Sequence, residues 1–245
     1  MSLHLVEIPL AIKHLHQWAA TRVLSGHGPF DEGLALHHLL AETFGPGALQ
    51  PFRLLVAPRA RQGTLYGYAA QDSETLRGQA RAAITPAAQQ VLALGRIRSC
   101  PRPTDTWREG QRLGFDLRAR PIVRLMRAIE SKGGNFRKGA EVDAFLPQAL
   151  SQGETRPREA VYLDWLEARL GPAACVEHDT TRLAAFRRSR VQRGGQRIEG
   201  PDATFHGTLV VKDPAAFAQL LGRGVGRHRA YGYGMLLLRP PQRRK

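Results

Sequence analysis

Cysteine is nearly absent from this chain. Two residues in 245, Cys100 and Cys175, make neither a disulfide framework nor a metal-ligand cluster. No metal site is expected, and His14 and His16 have no carboxylate or cysteine partner nearby. No apolar run approaches the roughly 20 residues that cross a bilayer, so no membrane partner is expected. The first residues, Met1–Ile8, lack a basic region and a small-residue cleavage site and read as a strand, which makes the cytoplasm the expected location. Acidic residues are also scarce, at 21 Asp and Glu against 36 Lys and Arg, for a formal net charge of +15. Lysine is itself rare: 31 of the 36 basic residues are arginine. A GC-rich genome accounts for arginine over lysine, but it does not account for the shortage of acids.

The excess charge is unevenly placed. Residues 1–90 carry 7 basic and 6 acidic side chains, whereas residues 91–245 carry 29 and 15. A large field of one sign repels itself and is usually matched to a partner of opposite sign. Nucleic acid is favoured over an anionic membrane or an acidic protein.

The local signals give the order of elements. Leu3–Ala11 reads as a strand. The Gly/Pro-rich Ser25–Pro29 leads to Asp31, a helix N-cap, and the helix Glu32–Phe44 stops at Gly45-Pro46-Gly47. Phe52–Ala57 and Thr64–Ala70 read as a hairpin, Ser73–Ile84 as a helix and Val91–Arg98 as a closing strand. This is the βαββαβ order of a ferredoxin-like domain. The Pro-rich Ser99–Gly110 is the boundary. A similar order then returns: strand Arg112–Val123, a polar loop Lys132–Gly139, helix Arg158–Leu170, strand-like Val176–Arg190, strand Thr204–Val211, a helix capped by Asp213 and running from Pro214 to Leu221, and strand Ala230–Arg239. The tail Pro240–Lys245 is basic. The expected fold is α+β, two tandem ferredoxin-like domains at 1–100 and 111–245, with no residue-level repeat between them.

One segment concentrates the chemistry. Gly222 to Gly234 interleaves glycines with Arg223, Arg227, His228, Arg229, Tyr231 and Tyr233. Arginine offers planar donors to phosphate, tyrosine a face to a base, and glycine close backbone approach. It is not a P-loop, because no Gly-Lys-Ser/Thr follows. It is not a dinucleotide fingerprint either, because arginine fills the third-glycine position and the segment runs from helix to strand. A second basic cluster, Arg182, Arg187, Arg188, Arg190, Arg193 and Arg197, brackets Gly194-Gly195 with no acid inside it. It fits a β-ribbon that tracks RNA phosphates, or a solvated hairpin. Tyr162, Trp165 and Leu166 have helical spacing and read as core.

Gly207–Phe217, the glycine–arginine segment and Ala230–Leu236 together resemble the C-terminal signature of CasE-type CRISPR RNA endoribonucleases of the RAMP superfamily. Leu113–Pro121 resembles the strand that opens that family's second domain. His37–Phe44 resembles its first helix, where a histidine precedes a phenylalanine by seven residues. The resemblance implies tandem ferredoxin-like domains and metal-independent cleavage of a CRISPR repeat transcript near the base of its hairpin, with no cofactor. It also implies that the enzyme stays on its product beside the other subunits of an effector complex. The implied chemistry is attack of the RNA 2′-OH on the adjacent phosphorus, leaving a 2′,3′-cyclic phosphate and a 5′-OH.

His37 matches the family's catalytic histidine. It lies about 20° from Phe44 on a 3.6-residue wheel, at the edge of the Leu36, Leu39, Leu40 and Phe44 stripe, while His38 falls on the solvated side. A partly buried structural histidine is the alternative. Three positions depart from the family pattern: Leu34 where a tyrosine is usual, Arg120-Pro121 where Asn-Pro is usual, and Arg229 in place of a lysine. Arg22 and His27 stand before the helix and are candidates to replace the missing tyrosine. The expected RNA-binding residues are Arg118, Arg120, Arg187, Arg188, Arg190, Arg193, Arg223, Gly224, Gly226, Arg227, His228, Arg229 and Tyr231. The same arginines suit a divergent relative, such as the processing subunit of a type IV system. Leu34 keeps open a second function, a non-catalytic subunit that holds the RNA hairpin.

Overall fold

The computed structural model describes residues 2–22, 30–131, 134–150, 156–193 and 196–241, and at 131, 191–193 and 196–198 it describes the backbone alone. The expectations placed on His27 and the rest of Ser25–Pro29, on Lys132, Gly133, Gly194 and Gly195, on the side chain of Arg193 and on residues 242–245 lie outside that description.

The first half runs β1 (His4–Ala11), α1 (Ile12–Thr21), α2 (Glu32–Phe44), β2 (Phe52–Leu55), β3 (Gln62–Ala69), α3 (Ser73–Ala83), α4 (Pro86–Val91) and β4 (Arg98–Pro101). Its strands form one antiparallel sheet in the order β2-β3-β1-β4. The second half runs β5 (Arg112–Ala119), the short strands β6 (Ile122–Arg124), β7 (Ile129–Ser131), β8 (Gly134–Phe136) and β9 (Glu141–Asp143), α5 (Leu146–Ala149), α6 (Arg158–Leu170), β10 (Ala174–Arg193), β11 (Gln196–Val211), α7 (Pro214–Arg223) and β12 (Leu236–Arg239). Its main sheet has the order β10-β11-β5-β12, again antiparallel. Both sheets therefore share one topology, with the last strand beside the first and the third strand on the first's other side. This is the expected tandem ferredoxin-like fold.

Local chemistry explains the helices that frame the site. Asp31 accepts the Leu34 N–H through its side chain, which caps α2. Gly45, at φ 92°, ends it in a conformation that a β-carbon resists. Asp213 takes the N–H groups of Ala215 and Ala216, and Pro214 opens α7. Along β1 the pleat alternates. Val6, Ile8 and Leu10 pack under the helices of the first half, whereas Leu3 and Leu5 meet the core of the second. Tyr68 of β3 continues that second contact, with its hydroxyl donating to the Leu236 carbonyl at 3.0 Å.

Ile12–Thr21, for which no element was expected, is a helix without a capping side chain. Three expectations are corrected. Residues 86–91 are helical because Thr85 caps them and Pro86 opens them, which moves the closing strand from Val91–Arg98 to Arg98–Pro101. The strand expected over Arg112–Val123 breaks at Arg120-Pro121, where the proline supplies no ladder donor. Ala230–Gly234 is no strand: Arg229–Tyr231 is a 3-10 turn, and Gly232 and Gly234 have φ of 80° and 79°.

Candidate active site

Helix α2 leans directly on the glycine–arginine segment. A β-carbon on Gly33 would run into the carbonyl oxygen of Tyr231. One turn further along, His37 is half-buried, and its ring centroid lies 4.8 Å from that of Tyr231. Leu40, Phe52 and Ala230 line the same small recess. His38 is exposed, as the wheel predicts. Tyr231 closes a turn that begins at His228, whose φ of 60° is left-handed and whose ring centroid lies 6.5 Å from the tyrosine's.

Beside this pair, a cleft of about 250 Å³ separates the start of α2 from the second sheet, lined by Glu32, Arg118, Arg187, Arg190, Tyr231 and Tyr233 among others. Asp202, buried on β11, organises its basic wall. It accepts from Arg118 at 2.8 and 2.7 Å and from Arg187 at 2.8 Å. Burial pushes the Asp202 carboxyl up, but the hydrogen bonds from Arg118 and Arg187 outweigh it and hold the group below the usual carboxylate range. Burial likewise works against charge on Arg118, and the bonds to Asp202 more than offset it, so its pKa is raised. Arg118 also lies 4.6 Å above the Tyr233 ring. Glu32 goes the other way: burial raises its pKa more than Arg118 and Arg187 lower it. The acid at the mouth of the cleft is thus a weaker acid than normal.

The expected site residues are not all brought together. Arg22 pairs with both oxygens of Glu42 at 2.7 Å and lies 4.1 Å over Trp18. Glu42 stands roughly 140° around α2 from His37, so Arg22 is held on the other side of the helix and does not stand in for the missing tyrosine. Arg120 is 1% exposed and lies 5.8 Å from the Tyr233 ring centre. It is a buried support under the cleft and not a phosphate contact. Gly224 is also buried, with its N–H given to the Leu220 carbonyl at 2.7 Å, and Gly226 packs against the Trp165 ring. These glycines serve the turn itself, whereas the sequence suggested backbone open to a partner. Within that turn, the Val225 N–H donates to Gly234 at 2.7 Å and the Gly234 N–H to Arg118 at 2.7 Å.

The arginines that do reach solvent form two groups. Arg187, Arg188 and Arg190 stand along the exposed ribbon of β10, with side chains 69%, 72% and 60% exposed. Acids on the partner strand oppose them: Asp202 faces Arg187, and Glu199 lies 3.4 and 3.1 Å from Arg188 and Arg190. Arg223, Arg227 and Arg229 gather with Arg169 around a second cleft of about 390 Å³ beside Trp165. Arg227 pairs with Glu141, and Arg229 donates to the Arg223 carbonyl at 2.5 Å. Glu32, Asp202 and Arg169 were missed in the sequence. Glu32 looks like a first-turn helix acid, and Asp202 gains meaning only from its strand register. Among the described residues, no group of three or more His, Cys, Asp or Glu could hold a metal ion, and no helix is long and apolar enough to cross a membrane.

The close approach at Gly33 gives a first prediction. Gly33→Ala improves intrinsic helix propensity by about 1 kcal/mol, yet it is expected to lower thermal stability, because the added carbon displaces the Tyr231 turn. Matched unfolding curves of the two proteins check this, and an unchanged or raised melting temperature would contradict the packing described.

A family described as CRISPR associated protein matches residues 3–240 of the chain. The chain belongs to that family. This CRISPR-associated protein is 34% identical over 131 residues to the CRISPR-associated endoribonuclease Cse3 of Thermus thermophilus, a match over 54% of this chain. The matched stretch is 57% of the Thermus protein, so the chain spans little more than half of that curated relative. A solved structure of Thermus thermophilus Cse3, bound to an RNA representing a pre-cleavage complex, superposes with a TM-score of 0.64 at 20% identity, covering 98% of this chain and 100% of that one. A chain of a CRISPR RNA-guided surveillance complex gives 0.54 at 18% identity, covering 96% and 98%. At these identities the structural likeness establishes the shared fold.

Proposed function

We propose that this chain is an endoribonuclease that cuts CRISPR repeat transcripts at the base of the repeat hairpin and remains on the mature RNA within an effector complex in the cytoplasm. Two ferredoxin-like domains, 1–100 and 111–245, form the two walls of its cleft. The observation that carries this reading is His37, half-exposed on α2, set against Tyr231 beside a wall of arginines.

The chemistry follows from those groups. An imidazole, with its near-neutral pKa, takes the proton from the 2′-OH as that oxygen attacks phosphorus. Arginine donors stabilise charge that builds on the phosphoryl oxygens. The exposed ribbon of Arg187, Arg188 and Arg190 supplies a track for the phosphates of a duplex stem, with Arg223, Arg227 and Arg229 meeting the strand at the second cleft and His228 beside Tyr231. No step in this scheme calls for a metal or a cofactor. Resemblance to Cse3, an endoribonuclease captured with RNA, supports the substrate class.

The test incubates the purified protein with the CRISPR repeat RNA in EDTA. One cut at the hairpin base is expected, leaving a 2′,3′-cyclic phosphate and a 5′-OH, and a 2′-deoxy substitution upstream of the scissile phosphate is expected to block it. Leu34, an apolar residue one turn before His37, favours a second reading in which the chain holds the hairpin without cutting it. Tight binding of the intact repeat with no cleavage would establish that reading and remove the first.

A further inference from the structure

Cleavage by an internal 2′-OH moves two protons, one off the attacking oxygen and one onto the leaving 5′-oxygen. His37 accounts for one. The positions that share its helix face are Gly33, Leu34, Leu40 and Ala41, and none carries a proton to give. His38, the neighbouring ring at 5.3 Å, stands out in solvent. Among the described residues, the side chain that meets the His37 ring from across the cleft is Tyr231, at 4.8 Å between ring centroids.

The backbone is built to make that meeting close. Gly33 removes the one β-carbon of α2 that would collide with the Tyr231 carbonyl. The turn that carries the tyrosine is fixed by left-handed residues on both sides, His228 and Gly232, and by the bond from the Tyr231 N–H to the His228 carbonyl at 2.9 Å. A non-glycine residue held at positive φ is uncommon and is often found where a functional group must be aimed.

We propose that Tyr231 is the second proton-transfer residue of the reaction, its hydroxyl protonating the leaving 5′-oxygen while His37 accepts the 2′ proton. This rests on the endoribonuclease reading above. The O2′–P bond forms as the P–O5′ bond breaks, the 2′ proton ends on the imidazole, and the phenolic proton ends on the 5′-oxygen. The proton on His37 then returns to the phenolate, directly or through water, and both groups are restored.

The experiment compares the wild type with Tyr231→Phe, which keeps the ring and removes only the hydroxyl, in single-turnover cleavage of two repeat RNAs. One is natural, and the other has sulfur in place of the scissile 5′-oxygen, a leaving group that departs without a proton. Tyr231→Phe is expected to bind the repeat about as tightly as wild type, to cut the natural RNA about 100-fold or more slowly, and to regain nearly all of that loss on the sulfur substrate. A natural-substrate rate equal to wild type would overturn the proposal, as would an equal loss on both substrates, which is the mark of a packing role. Sulfur rescue of His228→Gln in place of Tyr231→Phe would move the role to His228 and overturn it too. Wild type that cuts neither RNA removes the endoribonuclease reading and this inference together, whereas cutting unaffected by Tyr231→Phe removes this inference alone.

Discussion

Replacing His37 with alanine is expected to slow single-turnover cleavage of the repeat RNA by about 10²–10⁴-fold, the usual contribution of a positioned proton-transfer group, while affinity for the RNA stays close to wild type. The asymmetry follows from where the charge lies. In the proposed reading, binding draws on the exposed arginines of the ribbon and on those lining the second cleft. The imidazole sits half-buried in a recess with Leu40, Phe52 and Ala230, so its loss opens only a small void. Equilibrium binding and cleavage rates measured on one RNA, with melting temperatures alongside, separate the cases. A modest rate loss that tracks a fall in stability would make His37 a core residue. A large loss at unchanged stability and affinity makes it the base.

The largest effect on stability is expected from Asp116→Ala. Asp116 is 3% exposed on the central strand β5, and three groups converge on it: Arg53 and Arg239 at 2.7 Å each, and His206 at 3.0 Å. Arg53 comes from β2 in the other sheet, so this carboxylate holds an arginine of the first half inside the second. Burial already pushes the Arg53 pKa down, and Asp116 is the main group opposing that shift. Without its counter-ion the guanidinium stays buried and uncompensated, which costs roughly 3–5 kcal/mol. At a few degrees per kcal/mol for a chain of this size, the melting temperature should fall by roughly 10 °C. Calorimetry or chemical denaturation reads this directly. A double variant, Arg53→Met with Asp116→Leu, is expected to recover most of the loss, because it removes both charges from the interior. A loss below about 1 kcal/mol for Asp116→Ala would place the pair effectively in water.

What the sequence made legible tracks the range of the interactions involved. Helix α2 was readable residue by residue because Asp31, the leucine stripe and Gly45 lie within one segment, and α6 and α7 were readable for the same reason. Helix α1 carries no side-chain cap, so only the helical spacing of Leu15, Trp18 and Ala19 marks it. Thr85 and Pro86 start a helix of only six residues, and the apolar Val91 to Leu94 beyond it imitates a strand. The strand expected over Ala230–Gly234 failed because alternating small and aromatic residues imitate the strand period, while the positive φ of two glycines there belongs to a turn. His37 came from a resemblance and Tyr231 from a composition pattern, and only the docking of two distant segments set their rings together. The fate of the arginines was the least legible. Arg118, Arg120 and Arg187 look alike in a list of basic residues, yet Arg120 is buried beneath the cleft, Arg118 lines its wall half-buried, and Arg187 stands exposed at its rim. What separates them is Asp202 and Tyr233, supplied by other strands and turns.

The Tyr68 hydroxyl bonded to Leu236, together with Arg53 held by Asp116, crosses from one sheet to the other through buried surface. On the second sheet the two contacts stand side by side, since Leu236 pairs with Leu117 and Leu237 with Asp116 across β12 and β5, so they clamp the sheets together at one place. Moving one sheet against the other therefore means breaking a buried hydrogen bond and parting a buried ion pair together, and a buried charge left without its partner costs roughly 3–5 kcal/mol.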